Sequence, residues 1–301
     1  MFSHNAFSLY NINWVAPLTM VFGSFIAGAS SEGGGAVAFP VFTLLLDISP
    51  SAARNFSFAC QSIGMTAAST LIIGLKIPVS WRAIIFTSIG GVIGLLFGTF
   101  YVVPYIPNAE TKIFFVSLWL SFGFALYLSN RNFRREVFND LASFEQKDKL
   151  LIIIFGIIGG IITAIFGNGI DIFTFCLFTL YYRISEKVAT PTSVIIMTIN
   201  TILGFLLHAF VIQDFQQIEF DFWICSIPVV LVFAPLGAYI INFFTRHAIA
   251  KLLYVIIVVQ YIGALIVIQP PLWELVLSIS VIVGGFLFFW WISNKKISNI
   301  S

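Results

Sequence analysis

The sequence predicts an all-α protein that crosses a membrane many times. Of its 301 residues, 59% are hydrophobic and 9% are charged, whereas about a quarter of the residues of a soluble domain are charged. Charge-free stretches recur along the chain, and most reach the roughly 20 residues that a helix needs to cross a hydrocarbon core about 30 Å thick. We therefore predict one integral membrane domain over residues 1–301.

Glycine, proline and clustered charges divide the hydrophobic sequence into helical segments. The predicted segments are 14–30, 34–46, 53–75, 80–103, 111–129, 150–166, 170–183, 188–212, 220–244, 248–268 and 273–293. The first is expected to be a retained helix, because no basic region and no small-residue cleavage site precede it. Segments 34–46 and 170–183 are shorter than a span, so each is predicted to form a hairpin with its predecessor inside the membrane.

The two halves of the chain, about 14–129 and about 150–268, resemble each other across a polar linker at 130–149. Residues 49–57 (SPSAARNFS) align with 185–193 (SEKVATPTS) and share both end serines. Each half contains about five segments, and an odd number reverses the direction of the second half. This predicts two inverted-topology repeats plus one extra C-terminal helix at 273–293.

The basic residues predict the orientation, because Lys and Arg collect in cytoplasmic loops. A cytoplasmic linker at 130–149 puts the N-terminus outside and the C-terminus inside. The basic residues then on the cytoplasmic side are Lys76, Arg82, Arg131, Arg134, Arg135, Lys147, Lys149, Arg183, Lys187, Arg246, Lys251, Lys295 and Lys296. Only Arg54 and Lys112 then lie on the outer side. The net charge of +2 is too small to favour a nucleic-acid partner.

Glycine-rich sequences interrupt the helices at matching places in the two halves. The first break is SSEGGG at 30–35 and the second is FGNGID at 166–171. Unwound backbone in a membrane is tolerated only where it meets protein or lines a cavity, and paired interruptions are typical of transporter sites. A helix that starts after glycines presents free N–H groups and partial positive charge to an anion. Residues predicted to bind an anionic substrate are Gly33, Gly34, Gly35, Gly167, Asn168 and Gly169; the alternative is glycines that only allow close helix packing.

Two carboxylates, Glu32 and Asp171, accompany the breaks. Charged groups inside a membrane are costly and are candidates for function. Burial and mutual repulsion favour the neutral carboxyl form, so one or both could bind the proton that couples transport. The alternative is that each acid caps the start of a helix and has no transport role.

Neutral donors on the helices after the breaks suit an oxyanion that must bind and then leave. These candidates are Ser57, Gln61, Thr190, Thr192, Ser193 and Asn200. His208 is predicted either to contact the anion or relay a proton, or to be a structural, hydrogen-bonded histidine near the outer surface. Arg54 is expected either to attract substrate or to anchor in lipid headgroups. Cys60, Cys176 and Cys225 lack a CxxC spacing and are expected to be buried apolar residues.

Several of these segments resemble the TauE/SafE-type sulfite exporter family. The resemblance covers about residues 20–268. It is carried by the turn Gly33-Gly34-Gly35 with Pro40, its weaker copy Gly167-Asn168-Gly169, ATPTS (189–193) leading to Gly204 and His208, and APLGAYIINFFTRHAIAKLL at 234–253. It implies export or import of small sulfur-containing anions, such as sulfite or sulfonates, across a bacterial inner membrane. The chain departs from the family at Glu32, Asn168 and Asp171.

Other function classes fit the sequence less well. An intramembrane enzyme would need catalytic groups, and the chain has no HExxH or GxSxG motif and no second buried partner for His208; no enzyme activity, cofactor or metal is predicted. A membrane scaffold or assembly subunit would leave the two matched breaks unexplained. A channel fits the composition, but interrupted helices in inverted repeats favour a transporter that works by alternating access. The predicted partners are a small anion, the lipid bilayer and, if transport is proton-coupled, protons.

Overall fold

A computed structural model describes residues 5–131, 138–141, 144–243 and 246–294 of the chain. Within these ranges the protein is helical, without a β-strand. The helices are α1 Asn5–Asn13, α2 Val15–Ala29, α3 Gly35–Pro40, α4 Pro50–Gly74, α5 Trp81–Phe97, α6 Asn108–Arg131, α7 Gln146–Phe166, α8 Ile170–Cys176, α9 Glu186–Leu206, α10 Gln217–Ile240, α11 Arg246–Ile268 and α12 Leu272–Asn294. The predicted all-α class is confirmed.

Six helical stretches of the described ranges are long and apolar enough to cross a membrane. They are Pro50–Gly74, Trp81–Tyr105, Gln146–Phe166, Glu186–Ile212, Gln217–Ile240 and Leu272–Ser293. The stretches around α3 and α8 are shorter, as their sequences predict. A polytopic membrane protein is therefore confirmed.

The structure differs from the predicted segments at the N-terminus and in the linker. Helix α1 was not predicted, because its three asparagines disfavour a helix by propensity; only Trp14 separates it from α2. The linker 130–149 is shorter than predicted, since α6 continues to Arg131 and α7 begins at Gln146. Arg134 and Arg135, predicted to be cytoplasmic, lie outside the described residues, as do Lys295 and Lys296.

Helices α3 and α8 end in the same way. Each continues into a π-helical turn, Val41–Leu45 and Leu177–Tyr181. Ile48 N–H donates to the Phe42 carbonyl at 2.9 Å, and Ile184 N–H donates to the Phe178 carbonyl at 2.8 Å. The equivalent residues are 136 positions apart, the same offset that aligns Ser49 with Ser185 in the sequence. The two halves thus share local structure in one register from the breaks to the start of α4 and α9.

The long helices also pack in corresponding pairs. Helix α2 packs on α10 while its counterpart α7 packs on α5, and α4 packs on its own counterpart α9. Glycines bring these backbones together: a methyl on Gly28 would lie 1.9 Å from the Ala234 carbonyl oxygen, and one on Gly156 would lie 2.4 Å from that of Thr87. Close packing of two helices is therefore the role of Gly28 and Gly156. The inverted orientation of the two halves stays a prediction.

Candidate functional site

The two breaks meet at one side chain, Gln61 of α4. Gly34 N–H of the first break donates to Gln61 Oε1 at 3.2 Å, and Gln61 Nε2 donates to the Gly167 carbonyl of the second break at 3.0 Å. Ser57, one turn earlier on α4, also donates to the Gly167 carbonyl at 3.3 Å and accepts from Gln61 Nε2 at 2.6 Å. Because Gln61 bonds to both breaks, a movement of either break changes the hydrogen bonds of this one side chain.

The break glycines are required by backbone conformation and by contact with polar groups. Gly33, Gly167 and Gly169 have φ of +67°, +79° and +138°, values that L side chains rarely adopt. A methyl on Gly33 would lie 2.8 Å from Asp171 Oδ2, and one on Gly35 would lie 2.7 Å from Ser57 Oγ. Gly33 and Gly35 therefore face polar side chains of the site.

The cap hypothesis holds for one oxygen of Asp171. Asp171 Oδ1 accepts from Gly169 N–H at 3.1 Å and from Ile172 N–H at 3.0 Å, at the start of α8. Its other oxygen, Oδ2, is buried without a hydrogen-bond partner. Two backbone donors at this helix start, the N–H groups of Gly169 and Ile172, are thus already occupied by a carboxylate of the chain itself, which an incoming anion would have to replace there.

The cap hypothesis fails for Glu32. Its side chain is fully buried and neither carboxylate oxygen has a hydrogen-bond partner. An isolated buried charge without a partner is expensive. The surroundings of Glu32 therefore suit a neutral carboxyl group.

The second break contacts the first directly through Asn168. Its Nδ2 donates to the Glu32 carbonyl at 3.1 Å, and its Oδ1 is buried without a partner. The structure therefore brings together all the predicted break residues with Ser57 and Gln61: Glu32, Gly33, Gly34, Gly35, Gly167, Asn168, Gly169 and Asp171. Among the described residues, no three or more His, Cys, Asp or Glu residues are placed to hold a metal ion.

The other predicted donors lie on α9 at different distances from this cluster. Asn200 borders the second break, since its side chain and that of Ile170 both approach Gly91 of α5. Ser193 donates to the Thr190 carbonyl of its own helix at 2.8 Å. Thr192 lies apart, because its hydroxyl accepts from Ser80 N–H at the start of α5 at 3.0 Å.

His208 belongs to a separate group at the end of the bundle where α4 begins, which we call the Arg54 cluster: Arg54, Asn55, His208, Asp214 and Glu219. Asp214 Oδ1 lies 2.9 Å from His208 Nδ1, and Asp214 Oδ2 lies 3.2 Å from Arg54 Nη2. His208 is thus hydrogen-bonded, as its structural alternative predicts. Arg54 is 3% exposed, so its predicted role as a lipid-headgroup anchor is wrong.

The electrostatics of the cluster centre on Asp214, which lies between two spans. Burial alone raises the pKa of Asp214, but the hydrogen bond from His208 and the charges of His208 and Arg54 outweigh burial and hold that pKa below its ordinary value. Asp214 therefore remains ionised at neutral pH and supplies the negative charge that Arg54 needs.

Sequence reasoning missed Asn55, Asp214 and Glu219 as site residues. Both acids lie between the predicted segments 188–212 and 220–244, whereas in the structure Glu219 belongs to α10, is 2% exposed and accepts a hydrogen bond from Gln216 N–H. One signal was available: Asp214 follows His208 by six residues, beyond the end of a helix. It missed Gln260 as well, whose amide donates to the Ala36 carbonyl in the first turn of α3 at 2.6 Å.

Comparison with known proteins identifies one relationship. Residues 16–265 match the family model described as "Sulfite exporter TauE/SafE". No curated protein and no solved structure matches the chain significantly. The family match covers both breaks, α4, α9 and the Arg54 cluster.

Proposed function

Because the chain belongs to the TauE/SafE sulfite exporter family, we propose that it is a secondary transporter of a small sulfur-containing anion, such as sulfite or an organosulfonate. The family is one of membrane sulfur-anion exporters, which also argues against an enzyme. We place the protein in a cell inner membrane, with the N-terminus outside and the C-terminus and the linker 130–149 in the cytoplasm. The bias of Lys and Arg towards one side supports this orientation.

One observation carries the proposed site: Gln61 bonds to both breaks at once. We propose that the anion binds between the breaks, to Ser57, Gln61, Asn168 and the backbone of Gly33, Gly34, Gly35, Gly167 and Gly169. Asn200 and Ser193 would complete the donor set from α9, while Thr192 would hold the start of α5. Neutral donors suit this role, because the anion must bind and then leave.

Alternating access is supported by the paired packing of the helices. The α2–α10 and α5–α7 pairs occupy equivalent places around α4 and α9. Rocking of one pair against the other would open the breaks to one side of the membrane and then to the other. The hydrogen bonds of Gln61 would be exchanged as the breaks move.

We also propose that anion transport is coupled to proton transport. Glu32 and Asp171 together have three buried oxygens without a hydrogen-bond partner. An anion beside two ionised carboxylates would be repelled, so protonation of Glu32 or Asp171 would accompany its binding. Proton and anion would then move together.

The experiment combines binding with flux. Purified protein would be screened for thermal stabilisation by sulfite, thiosulfate, sulfate, taurine, sulfoacetate and simple carboxylates, because a ligand of the folded state raises the unfolding temperature with concentration. The anion that stabilises would then be followed into liposomes with and without a pH gradient. We expect saturable uptake that the gradient accelerates; no stabilisation and no flux with any of these anions would overturn the proposal in favour of a scaffold.

A further inference from the structure

Arg54 and His208 form a buried basic pair at the end of the bundle where α4 begins. The two residues are 3% and 1% exposed, and Arg54 Nη2 lies 3.4 Å from His208 Nδ1. Neither side chain reaches water freely, so a charge on Arg54 has lost its hydration and needs an acidic partner. Such a pair favours a bound anion.

The anion that occupies this pair is the carboxylate of Asp214. It contacts both basic groups, at 3.2 Å from Arg54 Nη2 and 2.9 Å from His208 Nδ1. Its side chain is 37% exposed, against 4% for Arg54. The carboxylate is therefore reachable from solvent, whereas the groups that hold it are not.

The segment that carries Asp214 is short and lies outside the helices. It covers residues 213–216 between the end of the α9 span and α10, and it starts at Gln213 with φ +59°. Its one tie to α4 besides the ion pair is the bond from Asn55 Nδ2 to the Asp214 carbonyl, 3.3 Å long. Asp214 is thus a tethered carboxylate that can leave the pair without unfolding a helix.

Other groups of the cluster would remain when Asp214 leaves. Asn55 Oδ1 accepts from Arg54 Nε at 3.1 Å and Nη2 at 3.0 Å and holds the guanidinium in place. Glu219 is fixed by the capping bond with Gln216 N–H at 2.6 Å. His208 Nε2 is buried without a hydrogen-bond partner, and its ring stacks on Phe58 at 5.6 Å. Arg54 and His208 would therefore keep their positions, and Nε2 of His208 has no hydrogen-bond partner.

The basic pair lies next to the breaks. Arg54 precedes Ser57 by three residues on α4, which is about 4.5 Å along a helix axis, and a methyl on Gly167 would lie 2.7 Å from the Arg54 carbonyl oxygen. The residue that occupies the equivalent position in the second half, 136 residues later, is Thr190. Of these two equivalent positions, only the one in the first half therefore carries a cation.

We propose that Arg54 and His208 form a second anion-binding site, occupied by Asp214 in this structure, and that a small oxyanion on its way to or from the breaks binds there by displacing the Asp214 carboxylate. The ligand class is a compact sulfonate, sulfite or carboxylate, since it must take the place of one carboxylate. The identity of the anion rests on the proposed function; the existence of the site does not.

The test removes the tethered competitor. Apparent dissociation constants for sulfite, methanesulfonate and acetate would be measured by thermal shift on purified Asp214→Asn and wild type. The substitution removes the charge-assisted bonds that the Asp214 carboxylate makes to Arg54 and His208, so we expect the variant to bind these anions about tenfold more tightly. The double variant Arg54→Gln/Asp214→Asn should lose that gain. Asp47→Asn is the matched control, because Asp47 is 96% exposed and pairs with Lys112 at the same end.

Equal affinity of Asp214→Asn and wild type would overturn the proposal, as would a gain that survives the loss of Arg54. The titrations are repeated in a Gln61→Met background, in which the proposed anion site between the breaks has lost its bridge. Tighter binding caused by Asp214→Asn in that background demonstrates the second site even if transport through the breaks is disproved. If Asp214→Asn does not fold, Asp214→Glu keeps the charge on a longer side chain, and we expect a smaller gain; no gain there also overturns the proposal.

Discussion

Asn168 donates a hydrogen bond of 3.1 Å to the backbone carbonyl of Glu32, and these two residues occupy equivalent positions of the two halves, 136 residues apart. At these two equivalent positions the chain thus carries an acid in the first break and an amide in the second, and the two residues are in contact. An acid at each position would put two carboxyl groups together here. The actual pair gives one titratable group and one permanent donor.

Replacing Gln61 by Met, the residue at the equivalent position of the second half (Met197), tests the bridge between the breaks. The substitution leaves Gly34 N–H and the Gly167 carbonyl without their Gln61 bonds at a site that is 2% exposed. We expect a loss of roughly 2 kcal/mol of unfolding free energy and loss of flux in liposomes. Gln217→Met, on an exposed position bonded only to Asp221, should change neither; normal flux in Gln61→Met would show that the bridge is dispensable.

Adding a methyl at Gly35 tests whether the first break must stay open. That methyl would lie 2.7 Å from Ser57 Oγ and 2.8 Å from Asn168 Oδ1, so these side chains must shift. Overpacking of this kind costs about 1–3 kcal/mol, and we expect transport to fall at least in proportion. Gly263→Ala is the control, because no atom lies within 4 Å of its methyl. Equal flux in both variants would contradict a role for Gly35 at the site.

Much of this arrangement could be predicted from the sequence, because local signals carry it. The clustered glycines of SSEGGG and FGNGID disfavour a continuous helix, so the short α3 and α8 can be predicted from composition. The roles of individual polar groups depend on contacts far apart in the chain and could not be predicted. Arg54 and Asp214 are 160 residues apart, and a lone arginine beside a span fits a lipid anchor equally well until its burial is known.

Replacing Glu32 by Gln separates proton binding from structure. Neither oxygen of Glu32 accepts a hydrogen bond, so the amide loses no bond, and it is close in size to the neutral carboxyl group. We therefore expect a smaller loss of unfolding free energy than the roughly 2 kcal/mol of Gln61→Met. The pH dependence of flux should flatten. Asp171→Asn retains an oxygen for Gly169 and Ile172 N–H and should behave likewise, whereas Asp171→Ala should also lose the cap, about 1 kcal/mol. Wild-type pH dependence in both amide variants would disprove proton coupling.

The pH dependence of stability tests the ionised state of Asp214. Burial raises its pKa, yet His208 and Arg54 bring that pKa below the ordinary value, while the unfolded chain keeps about 3.9. A group whose pKa is lower in the folded state stabilises the fold above the unfolded pKa and loses that contribution as the pH falls through the folded pKa. Asp214→Asn should therefore lower the unfolding temperature at neutral pH, where Asp214 is ionised.

The difference between Asp214→Asn and wild type should then shrink below about pH 4. Thermal unfolding in detergent over this range measures it, with Asp47→Asn as control, since an ion pair at an exposed site contributes little at any pH. A difference that vanished between pH 7 and pH 5 would mean that Asp214 is already protonated there. The basic pair of Arg54 and His208 would then lack its tethered anion at mildly acidic pH, and displacement of the Asp214 carboxylate could not control access to it there.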